Sequence, residues 1–321
     1  MRKAYILPAL LLVMAMFAAA EYSGQKEIIF PEIAALALGA WVMEKPPWRS
    51  SILDFWLSPT MAAVSGVLMV RFFTYAPFFM ITGAFCLVVL QLRLIHSGVL
   101  PSISAAILAI ITRTDSWYYP LSVCVLTGMI ALGRYALDRC APWNDPTVLP
   151  RKSVPDRIEG NGTLNGLAHW SNLLAGVVAV TAVAAVTDHL FMVAPPLIVA
   201  FVEVSKPGGA LRDRTGKILG LLVFAALSGV MWYALIHTVL GWPLTVSAAV
   251  STLTVFLAYH ILQLPFPPAV AIALLPAILP QGSLWSYPWQ VLCGSAAFMV
   301  ISKLCIAHAE HMAVPEGTPT E

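Results

Sequence analysis

Charged residues are scarce in this chain. Only 11% of its 321 residues are Asp, Glu, Lys or Arg, whereas 59% are hydrophobic. Soluble globular domains carry roughly a quarter charged residues, so this chain has too little polar surface to face water on all sides. The composition excludes a soluble fold and predicts an all-α, polytopic integral membrane protein, because apolar segments satisfy their backbone hydrogen bonds in lipid by forming helices.

Motifs for several other functions are also missing. The formal net charge is only +2, and no basic stripe alternates with aromatic residues, which argues against nucleic-acid binding. The chain has no nucleotide-binding P-loop, no H-E-x-x-H and no G-x-S-x-G. Its five cysteines show no C-x-x-C spacing and are interpreted as small buried apolar residues. We therefore expect no enzyme activity, no metal and no cofactor.

Long hydrophobic runs are what the chain does have. Six apolar segments precede residue 140 and six follow residue 168; they cover residues 5–20, 29–43, 52–74, 76–95, 99–112 and 117–137, then 170–187, 190–204, 215–238, 243–263, 266–280 and 288–307. One crossing of a bilayer takes about 20 apolar residues. The prediction is about twelve transmembrane helices, with ten as the lower bound.

The two sets of segments match in order, which indicates an internal duplication. Three local pairs recur at spacings of 163 to 168 residues: Pro31 with Pro195, Ser65-Gly66-Val67 with Ser228-Gly229-Val230, and Trp117-Tyr118-Tyr119-Pro120 with Trp285-Ser286-Tyr287-Pro288. The predicted organisation is two homologous six-helix repeats, residues 1–138 and 169–309, joined by a polar linker, residues 139–168, and followed by a tail, residues 310–321. Because residues 5–20 have a counterpart in the second repeat, they are interpreted as a retained helix and not as a signal peptide.

Lysine and arginine in the short loops predict the orientation. Most of them, including Arg2, Lys45, Arg49 and the linker cluster, fall on one side if every segment crosses. This places both termini and the linker in the cytoplasm, with the protein in the cell (inner) membrane. Six crossings per half make the two copies parallel.

The second and fifth segments of each half are short and marked by proline. The prolines are Pro31, Pro101, Pro195-Pro196 and Pro267-Pro268. Broken helices at corresponding places in two halves are typical of transport sites, because they free backbone groups that a cavity or solute can satisfy. Alternatively, the prolines only begin short helices at the first position, where no hydrogen bond is lost. Whether the four segments fully span is left open.

Ionisable residues inside apolar segments are the candidates for binding a proton. Glu32, Glu203 and His260 are such residues, and burial in apolar surroundings disfavours the charged form of a carboxyl group. Each has a structural alternative. Glu32 suits a helix first turn, Glu203 can pair with Lys206 or Arg212, and His260 can be a hydrogen-bonded core residue.

Basic residues supply the candidates for meeting an anion. Arg71 lies near the predicted outer end of the third segment, where it either contacts a solute or reaches the lipid headgroups. Lys206, Arg212 and Lys217 surround the Gly208-Gly209 pair at a predicted cytoplasmic helix start. Such a cluster can draw an anion to the mouth of a pathway or simply anchor the loop on the positive side of the membrane.

The second half resembles two families of membrane proteins. Pro195, Lys206-Pro207, Leu211-Arg212 and Lys217-Ile218-Leu219-Gly220 resemble the pattern after the second helix in the fusaric acid resistance and aromatic acid exporter families. Phe266-Pro267-Pro268-Ala269 with Ile272-Ala273-Leu274-Leu275 is similar to the signature of the HPP family, except that Phe266 replaces a histidine. Both resemblances imply transport of an anionic solute, although the chain lacks the large cytoplasmic domain of the exporters.

These observations together favour a secondary transporter. Its solute would be a small anion or a weak organic acid, either aromatic or not, and a proton gradient would drive transport. Its partners would be the lipid bilayer, the solute, and either a second copy or an adaptor protein. A membrane subunit that docks a partner is the alternative, because Ala62-Ala63-Ser65-Gly66 and Ala225-Ala226-Ser228-Gly229 form small-residue faces suited to close helix packing. An intramembrane enzyme would require His260, Glu203 and Asp188 to converge.

Overall fold

The computed structural model of the protein describes residues 3–44, 47–48, 50–140, 163–206, 209 and 211–313. Most of the predicted linker and residues 314–321 of the predicted tail therefore lie outside the described residues. Arg2, Lys45 and Arg49, used for the orientation, also lie outside them, as does the Pro207-Gly208 pair.

Every regular element in the described residues is helical, which confirms the all-α prediction. The α-helices are α1 (Ile6–Ser23), α2 (Glu32–Ala37), α3 (Ile52–Phe72), α4 (Pro77–Leu94), α5 (Pro101–Ile111), α6 (Tyr118–Cys140), α7 (Thr163–Val186), α8 (Pro195–Val204), α9 (Thr215–Trp232), α10 (Leu244–Leu262), α11 (Pro267–Leu274) and α12 (Tyr287–Ala313). A π-helical turn, Leu38–Val42, extends α2, and a second one, Tyr233–Val239, extends α9.

Seven of the described helices are long and apolar enough to cross a membrane. They cover Ile6–Ser23, Ile52–Phe72, Pro77–Leu94, Tyr118–Arg139, His169–Val186, Arg212–Val239 and Leu244–Leu262. Their outer faces expose large apolar side chains such as Leu94 and Leu132, each 69% exposed. A surface of this kind is suited to lipid and not to water, which agrees with a membrane protein.

The predicted second and fifth segments of each half do not form full-length helices. The corresponding α2, α5, α8 and α11 contain 6, 11, 10 and 8 residues. At 1.5 Å per residue the longest extends about 16 Å, roughly half of a 30 Å hydrocarbon core. The described residues thus confirm seven candidate spans, and the predicted set of about twelve is not confirmed.

The first short helix shows how the chain reaches the interior. After α1 ends at Ser23, the backbone turns back, and the Phe30 N–H lies 3.2 Å from the Met16 sulfur in the middle of α1. From there α2 and its π-helical turn run beside α1 towards residues 3–5. An extended entry and a half-length helix therefore occupy the place of the second predicted crossing.

The four short helices lie at the centre of the molecule. Every residue of α2, α8 and α11 is buried, and so are residues 101–110 of α5. Apart from Glu32, Ser102, Ser104 and Glu203, these segments are apolar and have no polar face to turn outwards, which is the pattern of a fully buried helix. The long helices pack around them: α3 contacts α5, and α9 contacts α11.

Small residues allow these central contacts. A Cβ atom on Gly66 of α3 would lie 2.5 Å from the Ala106 carbonyl oxygen of α5, and one on Gly229 of α9 would collide with the Ala273 backbone of α11. The flanking Ala62, Ala63, Ala225 and Ala226 are completely buried. The small-residue faces are therefore used in packing within the chain.

Two tyrosines secure the same short helices from the other side. Tyr119 of α6 donates a hydrogen bond to the Ala105 carbonyl oxygen of α5 (2.7 Å), and Tyr287 of α12 donates one to the Ile272 carbonyl oxygen of α11 (2.8 Å). A buried hydroxyl of this kind finds its partner on a helix backbone, which fixes the depth and rotation of each short helix.

The close approach of these helices predicts the effect of a single methyl group. Gly66→Ala or Gly229→Ala should each lower the stability of the folded protein by about 1–3 kcal/mol, because the new Cβ forces two backbones apart. The measurement is the fraction of monodisperse protein that survives heating in detergent. Gly220→Ala, a helical glycine with open space around it, is the matched control and should have no such effect; equal losses in all three variants would contradict the packing.

Candidate functional site

A small cavity lies where the four short helices meet. Each helix contributes one residue of its first turn and the residue three positions later: Glu32 and Ala35, Pro101 and Ser104, Pro196 and Val199, and Pro268 and Ala271; the ring of Trp48 completes the wall. Residues three apart lie on one helix face, so each helix presents its first turn to the centre. The cavity has room for about one water molecule.

Glu32 is the most unusual group in this wall. Its side chain is 2% exposed, and neither carboxyl oxygen has a hydrogen-bond partner among the described residues. The neighbouring Ser104 hydroxyl is completely buried and interacts with the Glu32 carboxyl group, but it makes no hydrogen bond of ordinary geometry within the same part of the chain. Buried polar groups without partners are rare because they lose hydration without replacing it. Two of them facing one cavity point to a ligand.

The electrostatic surroundings of Glu32 come from helix ends and not from basic side chains. In the described part of the wall no Lys or Arg is present, whereas α5, α8 and α11 all begin beside the cavity. The N-terminal end of a helix carries about half a positive charge. Their first free N–H groups are already bonded to preceding carbonyl groups, as for Ser102 with Val99 (3.1 Å) and Leu197 with Ala194 (2.8 Å). The helices therefore contribute positive potential rather than unused donors.

Trp48 forms the side of the cavity where α2 and α8 end, and it is bonded to Glu203. The Trp48 indole N–H donates a hydrogen bond to Glu203 Oε1 (2.9 Å), and both side chains are buried. Glu203 does not line the cavity itself; it lies within electrostatic range of Lys206. Lys206 Nζ in turn approaches the Pro47 carbonyl oxygen (3.5 Å). Glu203, which the sequence suggested as a proton-binding residue, thus accepts a hydrogen bond from Trp48. Its position near Lys206 is consistent with the alternative interpretation, in which Glu203 pairs with a basic residue.

The predicted site residues divide into two groups. Glu32, Pro101 and Pro268 line the cavity, and the buried Pro267 precedes Pro268 at the start of α11. The basic residues and the histidine predicted as site residues lie elsewhere and do not line it: Arg71, Lys206, Arg212, Lys217 and His260.

Arg71 is the clearest example of a predicted site residue away from the cavity. Its side chain is exposed, Nε donates a hydrogen bond to the Asp115 carbonyl oxygen (2.6 Å), and the guanidinium lies 5.1 Å from the centre of the Trp117 ring. These contacts match its anchoring alternative. Lys217 and His260 are likewise exposed.

Five members of the wall were not predicted from the sequence: Ala35, Trp48, Ser104, Val199 and Ala271. A sixth, Pro196, was predicted only as a proline that marks a short segment. Ser104 carries a recognisable signal, a hydroxyl three residues after a helix-starting proline in an otherwise apolar segment. Trp48 carries none, because it belongs to the polar connection between α2 and α3 and reaches the cavity only through long-range packing.

No group of three His, Cys, Asp or Glu side chains in the described ranges is placed to hold a metal ion. Glu203 is buried, whereas His260 and Asp188 are exposed. Comparison of the chain with protein-family models, with curated proteins and with solved structures gave no match.

Because the Ser104 hydroxyl makes no hydrogen bond of ordinary geometry, we expect its removal to change the stability of the folded protein very little. Ser104→Ala should change stability by less than about 0.5 kcal/mol, because no hydrogen bond is lost, whereas Ser58→Ala should cost about 1 kcal/mol. Ser58 is the matched control: it is also buried, but its hydroxyl donates to Ser97 Oγ (2.8 Å). Thermal survival in detergent measures both. A loss for Ser104→Ala as large as that for Ser58→Ala would show that Ser104 already bonds Glu32.

Proposed function

We propose that the protein is a secondary transporter that carries a small weak organic acid across the cell membrane together with a proton, and that the central cavity is its solute site. The observation that carries this proposal is Glu32: a carboxyl group with two partnerless oxygens at the meeting point of four half-length helices. A structural acid would be paired or solvated. A carboxyl group that binds a transported solute has its partner only while the solute is bound.

The charge of the site favours a weak acid with a proton. An anion next to an ionised Glu32 would place two negative charges in one small apolar space, which is strongly unfavourable. If one proton is shared between Glu32 and the solute carboxylate, a single negative charge remains. The N-terminal ends of α5, α8 and α11 can balance that charge. Binding of solute and proton is thereby coupled.

The size and lining of the cavity narrow the solute further. Apart from Glu32 and Ser104, the wall consists of prolines, alanines, Val199 and the Trp48 ring, a surface that receives a small apolar body. In the closed form there is room only for about one water, so the helices must separate before a solute enters. This agrees with alternating access, in which the site opens to one side at a time.

The proposal includes the internal duplication. It is supported by devices that recur at corresponding places: Gly66 and Gly229 against a short helix, and Tyr119 and Tyr287 on its backbone. The first half contributes α1–α6 and the second α7–α12, and the segments that lead into the short helices would complete their crossings. The copies are parallel, and movement of one against the other opens the cavity.

Orientation and energy source follow from the sequence. Lysine and arginine in the short loops favour cytoplasmic termini in an inner membrane, where Lys206, Arg212 and Lys217 would raise the local concentration of an anionic solute. Without a nucleotide-binding motif, the energy source in this proposal is the proton gradient.

The proposed role of Glu32 predicts a loss of proton-driven transport. In proteoliposomes, Glu32→Gln should reduce uptake of a small radiolabelled monocarboxylic acid driven by a pH gradient by about a hundredfold or more, because the amide cannot exchange a proton. The measurement is the initial rate with and without the gradient, across a panel of short aliphatic and aromatic acids.

Asp213→Asn is the matched control, since Asp213 is exposed on a short helix and does not line the cavity. It should transport like the unmodified protein. Gradient-driven uptake that persists in Glu32→Gln would contradict the proposed mechanism. Absence of uptake for every acid in the panel would contradict the proposed solute class.

A further inference from the structure

One aromatic side chain in a connecting segment is buried more deeply than its position explains. Trp48 belongs to the connection between α2 and α3, outside any helix, yet it is only 1% exposed. Tryptophan is rarely buried so completely, and here its ring forms one wall of the central cavity. The connection therefore reaches inwards at this residue.

Three contacts with other described residues help to hold the ring in place. It lies against Gly39, where an added Cβ would be 2.5 Å from a ring carbon. It meets Phe55 edge to face, with ring centres 6.4 Å apart and a 62° angle between planes. Its N–H is bonded to the Glu203 carboxylate at 2.9 Å. Packing of the ring thus depends on the first half of the chain, and its hydrogen bond depends on the second.

The bond between Trp48 and Glu203 therefore joins the two halves. Residue 48 follows α2, and Glu203 lies near the end of α8, 155 residues further on. The nearby approach of Lys206 to the Pro47 carbonyl oxygen joins the same two segments. Any motion that separates α2 from α8 on this side must break the hydrogen bond and withdraw the ring from the cavity wall.

We propose that Trp48 is the gate that closes the central cavity on the side where α2 and α8 end, and that Glu203 is the latch that keeps it closed. Residues 3–5 lie on this same side of the cavity, because they contact the π-helical turn that follows α2. The identity of the solute behind the gate rests on the proposed function; the existence of the gate does not. Glu203 is a positioning residue that acts through Trp48.

The test measures access to the cavity without requiring transport. Ala35, which lines the cavity and is 2% exposed, is replaced by cysteine in a full-length variant whose five native cysteines are removed. A membrane-impermeant methanethiosulfonate reagent is applied to vesicles from the side of the N-terminus. With Trp48 and Glu203 in place, the thiol should react slowly.

Three substitutions should open the gate, and one should not. Trp48→Ala removes the ring, Trp48→Phe removes the N–H, and Glu203→Leu removes the acceptor. Each should raise the labelling rate by about tenfold or more, because the loss of one hydrogen bond of ordinary strength corresponds to about that factor. Glu203→Gln keeps a carbonyl acceptor of the same size and should label as slowly as the parent. If Trp48→Ala does not fold, the other three variants carry the test.

Equal labelling rates in Glu203→Leu, Trp48→Phe and the parent would overturn the gate, even if the protein transports a weak acid. Conversely, faster labelling in these variants together with transport that ignores Glu32→Gln would keep the gate and remove the proposed function. Size-exclusion profiles in detergent establish that each variant is folded before its rate is compared.

Discussion

The burial of four half-length helices is the constraint on which the rest of the structure depends. A helix of 6 to 11 residues cannot cross the hydrocarbon layer, and lipid offers no partner for its free ends. Such helices persist only inside a shell of longer ones. The glycine contacts of α3 and α9 and the tyrosine bonds of α6 and α12 belong to that shell and hold two of the four, α5 and α11, in place. The cavity exists because all four begin at the same place.

Polar groups are used sparingly around this centre. The long helices expose apolar side chains on their outer faces, and the described part of the cavity wall contains one carboxyl group and one hydroxyl. Glu203, the other deeply buried acid, has its partner in Trp48. An unpaired buried carboxyl group is costly, so the two acids differ in their proposed roles: Glu203 holds Trp48, whereas Glu32 binds the solute. Neither role depends on a basic side chain in the cavity wall.

Much of the architecture was predictable from the sequence, for a physical reason. Apolar runs report burial in lipid, so the helices and most of their bounds follow from hydropathy. The run length did not separate full crossings from half crossings at residues 29–43, because an extended apolar entry such as Ile29-Phe30 reads like helix. Glu32 was found because an acid in an apolar segment is conspicuous. Trp48 was missed, since its contact with Glu203 joins residues 155 positions apart and leaves no local pattern.

The predicted basic residues show the opposite limit. Arg71 is conspicuous in sequence for the same reason as Glu32, yet its long side chain reaches the surface and the Asp115 carbonyl group, whereas the short side chain of Glu32 cannot leave the core. The length of the side chain, and not its charge alone, therefore accounts for the difference between Arg71, which reaches the surface, and Glu32, which stays buried.

If the two halves are duplicates, the polar residues of the proposed site lie at positions where the halves differ. At corresponding positions of the cavity wall the first half has Glu32 and Ser104, whereas the second has Pro196 and Ala271. The scaffold contacts recur in both halves, but the polar groups do not. A symmetric pair of acids would bring two negative charges into one small cavity, which a single shared proton could not neutralise. In the proposed mechanism, a single acid allows one proton and one weak acid to occupy the centre together. The second half supplies apolar wall and, through Glu203, the hydrogen bond to Trp48.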